Sequence, residues 1–232
     1  MRPAQKRPVV DLVAIDTIII NCSLTTTEAE YTNPHDILTP MFSFVRPSQS
    51  AIDRQLDRAR DLPGSYGIAL NTQCGPEEHH RPRDYDRDHT RTTLGHGAAV
   101  FDAAREAFRR WQQFDLGWVR VANPEAKIEQ DEIVAVEVHS LGLWSVNFSR
   151  ILYVIDEPCR FGFGYGTTPL HVERGEERFL LEFDPAAGAV FYDLLAISQP
   201  AHWMAKLGYA YTRSQQHRFA RDSHRRMHEL IP

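Results

Sequence analysis

The stretch YGTTPLHVERGEERF, residues 165–179, lies between two segments of plain strand character, RFGFG at 160–164 and LLEFD at 180–184. It carries one proline, one histidine, three glutamates and two arginines. Either it is a solvated hairpin tip or it is a polar site set into a sheet. In a strand, residues two apart share a face. Phe179, Leu181 and Phe183 are apolar, so their face turns inward. Carried back without a break, that face also holds Glu177, Gly175, Glu173 and His171. The preceding RFGFGYGT puts Phe161, Phe163 and Tyr165 on one face and Gly162, Gly164 and Gly166 on the other. Aromatic rings then line the interior, while the glycines let something pack close or let the sheet bend.

An inward carboxylate needs a partner. Arg150, Arg174 and Arg178 are the available partners; Arg150 shares a face with Trp144, Val146 and Phe148 in its own strand, so it is read as inward and as the partner of Glu177. Pro169 and Gly175 can each shift the register, and one bulge would return His171 and Glu173 to water. Three readings therefore stay open: a surface loop, a structural polar network, or a ligand or catalytic site. The site residues are Tyr165, His171, Glu173, Glu177 and Arg150. His171, Glu173 and Glu177 have no distinctive metal-ligand signature, so neither metal nor cofactor is expected.

Outward from this motif the pattern is regular. Strands are expected at 117–121, 132–138, 144–156, 160–167, 178–184 and 190–198, with short links that favour an antiparallel meander. Gly95 and Gly97 open a helix with Val100, Phe101, Ala104, Phe108 and Trp111 on its inner face. After Pro200 a long helix runs nearly to the C-terminus. Its stripe is Trp203, Leu207, Tyr211, Gln215, Phe219, Ser223, Met227 and Ile231. Its other face carries Arg213, Arg218, Arg221, Arg225 and Arg226, either a solvated surface or a dock for an acidic partner. The fold class is α+β, a curved antiparallel sheet of about six or seven strands wrapped on a long C-terminal helix. This is the helix-grip architecture of START-like (SRPBCC) domains, which can enclose an apolar cavity; a helix packed flat on the sheet fits the periodicity equally well.

Nearer the N-terminus, Phe42–Arg46 alternates like a short strand ended by Pro47, and Ser50 with Asp53 resembles a capping box. Ile52, Leu56 and Ala59 mark a helical face closed by Pro63 and Gly64. Residues 75–91 are polar and read as a surface loop, although His79, His80, Glu77 and Glu78 have metal-binding chemistry.

With 232 residues, 42% hydrophobic and 25% charged, the chain has enough for one sizeable core. A formal charge of -5 gives no general attraction to nucleic acid or anionic membrane. Cys22, Cys74 and Cys159 are an odd number without ligand spacing, as for reduced cysteines in a cytoplasm. No window approaches the roughly 20 apolar residues of a membrane span. Lys6 and Arg7 before Val9–Ile20 have the order of a signal peptide, but Asp11 and Asp16 interrupt the run and no cleavage site follows closely. Residues 1–40 are expected to be a poorly ordered extension, and 41–232 a single domain.

The segments LGHG, VFDAAREAFRRWQQFDLGWVRV, SRILYVIDE, RFGFGYGT, HVERGEERF, YDLLAISQPAH and QQHRFARDS, in this order, resemble the domain-of-unknown-function family numbered 1990. Its members are small bacterial and plant proteins, some fused to membrane segments. The resemblance spans about residues 41–232. The family motif often reads YGT-Leu-Pro-Gly-His-Pro-Glu; here Thr168, Leu170 and Val172 stand instead, which puts the turn geometry in question. The resemblance implies a fold and little chemistry.

The function expected is a binding module for an apolar, lipid-like small molecule, held between sheet and C-terminal helix. Alternatives are an enzyme using Glu173 or Glu177 with His171 as acid and base, and an interaction domain using the basic helix. A chain beginning at Met41 is expected to melt within a few degrees of the full chain by calorimetry; a larger drop would show that Val9–Ile20 contributes to the core.

Overall fold

The computed structural model describes residues 42–67, 72–74, 84–200 and 209–231. The N-terminal extension, the His79–His80 pair, Trp203 and Leu207 lie outside the described residues.

Helix α1 (Gln49–Asp61) begins at Ser48, whose side chain accepts from Ala51 N at 3.3 Å. The cap is thus two residues before the expected Ser50, and Asp53 is engaged by Gln49 Nε2 at 2.9 Å. Strand β1 (Asp86–His96) follows, its first six residues falling in the segment 75–91 that the sequence suggests is a surface loop. Its polarity misleads because it is an edge strand, pairing with one neighbour and burying little besides Leu94. Charged edges are what keep such strands from recruiting other chains. Helix α2 (Ala98–Arg109) starts at Gly97, whose φ of 95° suits glycine, and buries Phe101, Ala104 and Phe108 as its spacing predicts.

The remaining strands are β2 (Val119–Val121), β3 (Ile133–Ser140), β4 (Leu143–Glu157), β5 (Arg160–Thr167), β6 (Glu173–Phe183) and β7 (Ala189–Pro200). They form one antiparallel sheet in the order β1-β7-β6-β5-β4-β3-β2. From β2 to β7 it is the expected meander. The seventh strand, β1, returns from upstream to close on β7. Helix α3 (Tyr209–Leu230) completes the chain.

Both faces of the sheet are covered. On the inner face, Phe163 stacks on Phe179 at 5.1 Å. Phe114 from a 3-10 turn meets Phe179 at 5.1 Å, and Phe108 of α2 meets Tyr192 at 5.2 Å. Phe219 of α3 lies 5.4 Å from Phe114. On the outer face, α1 sets Ile52, Leu56 and Ala59 against Ile133, Ala135 and Phe148. The glycines of β5 make the outer packing possible. A Cβ on Gly164 would lie 2.2 Å from the Tyr153 ring, and one on Gly166 2.1 Å from the Tyr66 hydroxyl. At Gly162 the obstacle is backbone, the Phe179 carbonyl oxygen at 2.1 Å. Gly162→Ala is therefore expected to lower unfolding free energy by about 2–3 kcal/mol, read from urea midpoints, since strand backbones must separate.

Candidate active or binding site on the inner face

The parity of β6 carries through. Glu177 stands on the face of Phe179 and Leu181, and it pairs across the sheet with Tyr165, whose hydroxyl donates to Glu177 Oε2 at 2.8 Å. Two pairs further along, Glu173 reaches the helix: Gln216 Nε2 donates to its Oε1 at 2.8 Å and its Oε2 at 2.9 Å. The same amide meets Ser198 Oγ at 3.0 Å. Among the described residues, neither carboxylate forms an ion pair with a lysine, arginine or histidine. Burial pushes both up to about 7, with the Glu173 charge adding to the rise at Glu177. Tyr165 is driven well above its usual range by burial and by that same carboxylate.

His171 joins through the backbone. Its Nδ1 accepts from Glu173 N at 2.9 Å, and its amide closes a turn onto Thr168 O at 3.1 Å. Burial pushes its imidazole down to about 4, so it is neutral near pH 7. Thr168, one of the departures from the family motif, bonds Phe148 O through its hydroxyl at 2.8 Å, and Leu170 packs on the α1 cluster.

Arg150 is not part of this site. It lies on the outer face, where its guanidinium donates to Ala59 O at 3.2 Å, Arg60 O at 2.8 Å and Leu62 O at 3.1 Å. It caps the C-terminus of α1, where orphan carbonyls and the helix dipole favour a cation. The expected Arg150–Glu177 pair fails because Trp144, Val146 and Phe148 mark the outer face. A sheet buried on both sides has two apolar faces, so apolarity does not say which is inner.

The helix arginines are also accounted for. Arg213 forms a two-pronged pair with Asp88, with Nη2 to Oδ1 at 2.6 Å. Arg218 and Arg225 pair with Asp222, and Arg226 with Asp115 at 2.8 Å. Four of the five arginines thus have acidic partners within the fold, with Arg218 and Arg225 still 41% and 65% exposed.

A second polar network is buried on the outer face, and sequence reasoning missed it. Arg178, 3% exposed, pairs with Asp193, 2% exposed, at 2.8 Å. It also donates to the carbonyls of Thr72 at 3.0 Å and Cys74 at 2.9 Å. Glu176 accepts from Thr72 Oγ1 at 3.0 Å, and Thr72 meets the Tyr153 hydroxyl at 2.8 Å. His89 completes it at 2.7 Å from Asp193. Burial would raise Asp193, but His89 and Arg178 hold it below the usual carboxylate range. These groups fasten the Thr72 segment over the sheet. The signal was present in the parity of β6, which sends Glu176 and Arg178 to the face opposite Phe179.

The interior expected to be an apolar cavity is, among the described residues, filled by the rings of Phe108, Phe114, Phe163, Phe179, Tyr192 and Phe219. Beside Glu173 there is only a cleft of about 10 Å³, lined by Ser198, Thr212, Arg213 and Gln216 among others. That is room for about one water. Among the described residues no cluster of three or more histidines, cysteines or acids is placed to hold a metal ion, and no helix is long and apolar enough to cross a membrane.

Residues 71–226 match the family described as Domain of unknown function (DUF1990). The chain belongs to this family. A UPF0548 protein of Dictyostelium discoideum is 35% identical over 207 residues, covering 82% of this chain and 96% of the relative. A UPF0548 protein of Deinococcus radiodurans is 35% identical over 193 residues, covering 78% of this chain and 94% of the relative. Among solved structures, a hypothetical protein from Helicobacter pylori aligns with TM-score 0.46 at 7% identity, over 72% of this chain and 97% of its own. Major latex-like protein 151 from Panax ginseng aligns with TM-score 0.41 at 13% identity, over 64% and 99%. The DUF1990 match includes β6 and the helix residue Gln216, so both halves of the site lie within the family region.

The two carboxylates give this DUF1990 chain a pH dependence with a defined sign. Their folded pKa values stand above the unfolded ones, so they stabilise the fold below about pH 4.5 and lose that contribution as pH rises through 7. Glu177→Gln should therefore match wild type near pH 4.5 and exceed its unfolding free energy by about 1–2 kcal/mol at pH 8. Parallel urea curves at both pH values check this; equal differences at the two would show an ordinary, unperturbed carboxylate.

Proposed function

We propose that this protein is a small-molecule-binding domain whose site is the Tyr165–Glu177–Glu173 row on the inner face of the sheet, and whose ligand carries a protonated amine. One observation carries the reading. Two carboxylates continue the inward face of β6 beyond its aromatic rings, yet their hydrogen-bond donors are the Tyr165 phenol and the Gln216 amide, neither of them a cation. Arg213 acts electrostatically on Glu173 but is bonded to Asp88, so a carboxylate pair with no cation in hydrogen-bond contact is further complemented by one brought from outside, because the low local dielectric magnifies the attraction. The buried rings of Tyr165 and Phe179, with centroids 5.4 Å apart, back the carboxylate row and lower the local dielectric. The binding groups thus cluster at the polar end of the interior rather than deep within it.

A second reading uses the same residues. A carboxyl group titrating near 7 suits a general base, which favours proton abstraction as the chemistry if turnover occurs. Neutral His171, already accepting from a backbone N–H, would then position Glu173 rather than exchange protons.

Benzylamine, benzyl alcohol and benzoate share a ring and differ in charge, so they separate the possibilities. Benzylamine at millimolar concentration is expected to raise the melting temperature by a few degrees at pH 7, with benzoate inert. Glu173→Gln and Glu177→Gln should each reduce that shift at least fivefold. Equal shifts from all three compounds, or an undiminished shift in both variants, would refute an amine site at these carboxylates.

A further inference from the structure

We propose that the first half of α3, residues 209–218, is a gate over the carboxylate row that opens by local unfastening while the second half of the helix stays docked. The two halves are attached by different chemistry. From residue 210 to 218 no side chain is buried. Among the described residues the contacts there are polar: Arg213 with Asp88, Gln216 with Glu173 and Ser198, and Tyr211 with Ser140 Oγ at 2.6 Å. From Phe219 onward the attachment is largely apolar and deep. Phe219 joins the aromatic core, Met227 and Ile231 are buried, and Ser223 bonds the buried Tyr192 hydroxyl at 2.8 Å. Trp118 adds an indole hydrogen bond to Asp222 at 3.0 Å.

The division falls over the site. Gln216 sits on Glu173, and Phe219 sits on Phe179 at 6.2 Å; Glu177 lies between these two points on β6. Among the described residues the cleft beside Glu173 admits about one water, and movement of the Gln216 turn is what would widen it for a larger ligand. Exposed and half-exposed polar contacts contribute little each, whereas the buried aromatic half is costly to detach. A helix fastened in this way opens from its polar end. The proposal rests on the carboxylate-site reading for its purpose, but its mechanical part is testable without a ligand.

Hydrogen exchange of the full chain, followed by mass spectrometry, reads the two halves separately. Amides 213–218 are expected to exchange at least tenfold faster than amides 222–230. Raising salt to about 1 M should accelerate the first set more than the second, where exposed pairs such as Arg226–Asp115 are also screened but the apolar contacts remain. The double variant Asp88→Ala, Gln216→Ala should accelerate it at least a further tenfold, with amides 222–230 within twofold of wild type. Exchange of α3 as one unit, or equal acceleration of both halves, would overturn the gate. Benzylamine should slow amides 213–218 in wild type. A split helix with no benzylamine effect would leave the gate standing and refute the amine-site reading alone.

Discussion

Phe163 and Phe179 face each other across β5 and β6, and the alternation that places them there sorts every neighbouring residue. Because their rings turn inward, Gly162, Gly164 and Gly166 turn outward and leave space for Tyr153 and Tyr66. For the same reason Glu177 turns inward beneath α3 while Glu176 and Arg178 turn outward. One hydrophobic pair thus fixes the floor of the outer covering and the position of the inner carboxylates. A one-residue slip of β6 would exchange the two polar sets and bury rings against the wrong layer.

The two networks differ in how they are satisfied. On the outer face, Arg178 is held by a carboxylate and two carbonyls, and Asp193 by Arg178 and His89. Such closed sets keep their charges and fasten structure. On the inner face the carboxylates have only uncharged donors, and burial pushes them toward neutrality. Ionisable groups left electrically open inside a fold are where function is sought first.

Much of this arrangement was legible in the sequence. The strands from residue 117 onward, the inner faces of α2 and β6, and the Tyr165–Glu177–Glu173 grouping followed from periodicity. Residues 86–96 were not legible because an edge strand can be polar on both faces. Arg150 was misplaced because α1 covers the outer face, so Trp144, Val146 and Phe148 looked like the inner one. Tyr211 was placed on the buried stripe of α3 but is 39% exposed. Its hydroxyl instead bonds Ser140 Oγ at 2.6 Å, at the polar end of the helix. Gln216 and Asp88 gained their roles only through tertiary pairing, which no local pattern announces.

The return of β1 to β7 also sets a folding order. The β3–β4, β4–β5, β5–β6 and β6–β7 pairs are local hairpins, whereas Asp86 meets Ser198 across more than a hundred residues. Closing that loop costs entropy that only a formed β7 repays, so β1 docks late. Until it does, β7 presents Val190, Tyr192 and Leu194 along an unpaired edge, a template for pairing with other chains. The charged strand that looked like a loop is therefore the element that ends this exposure, and aggregation during refolding is governed by how soon it arrives.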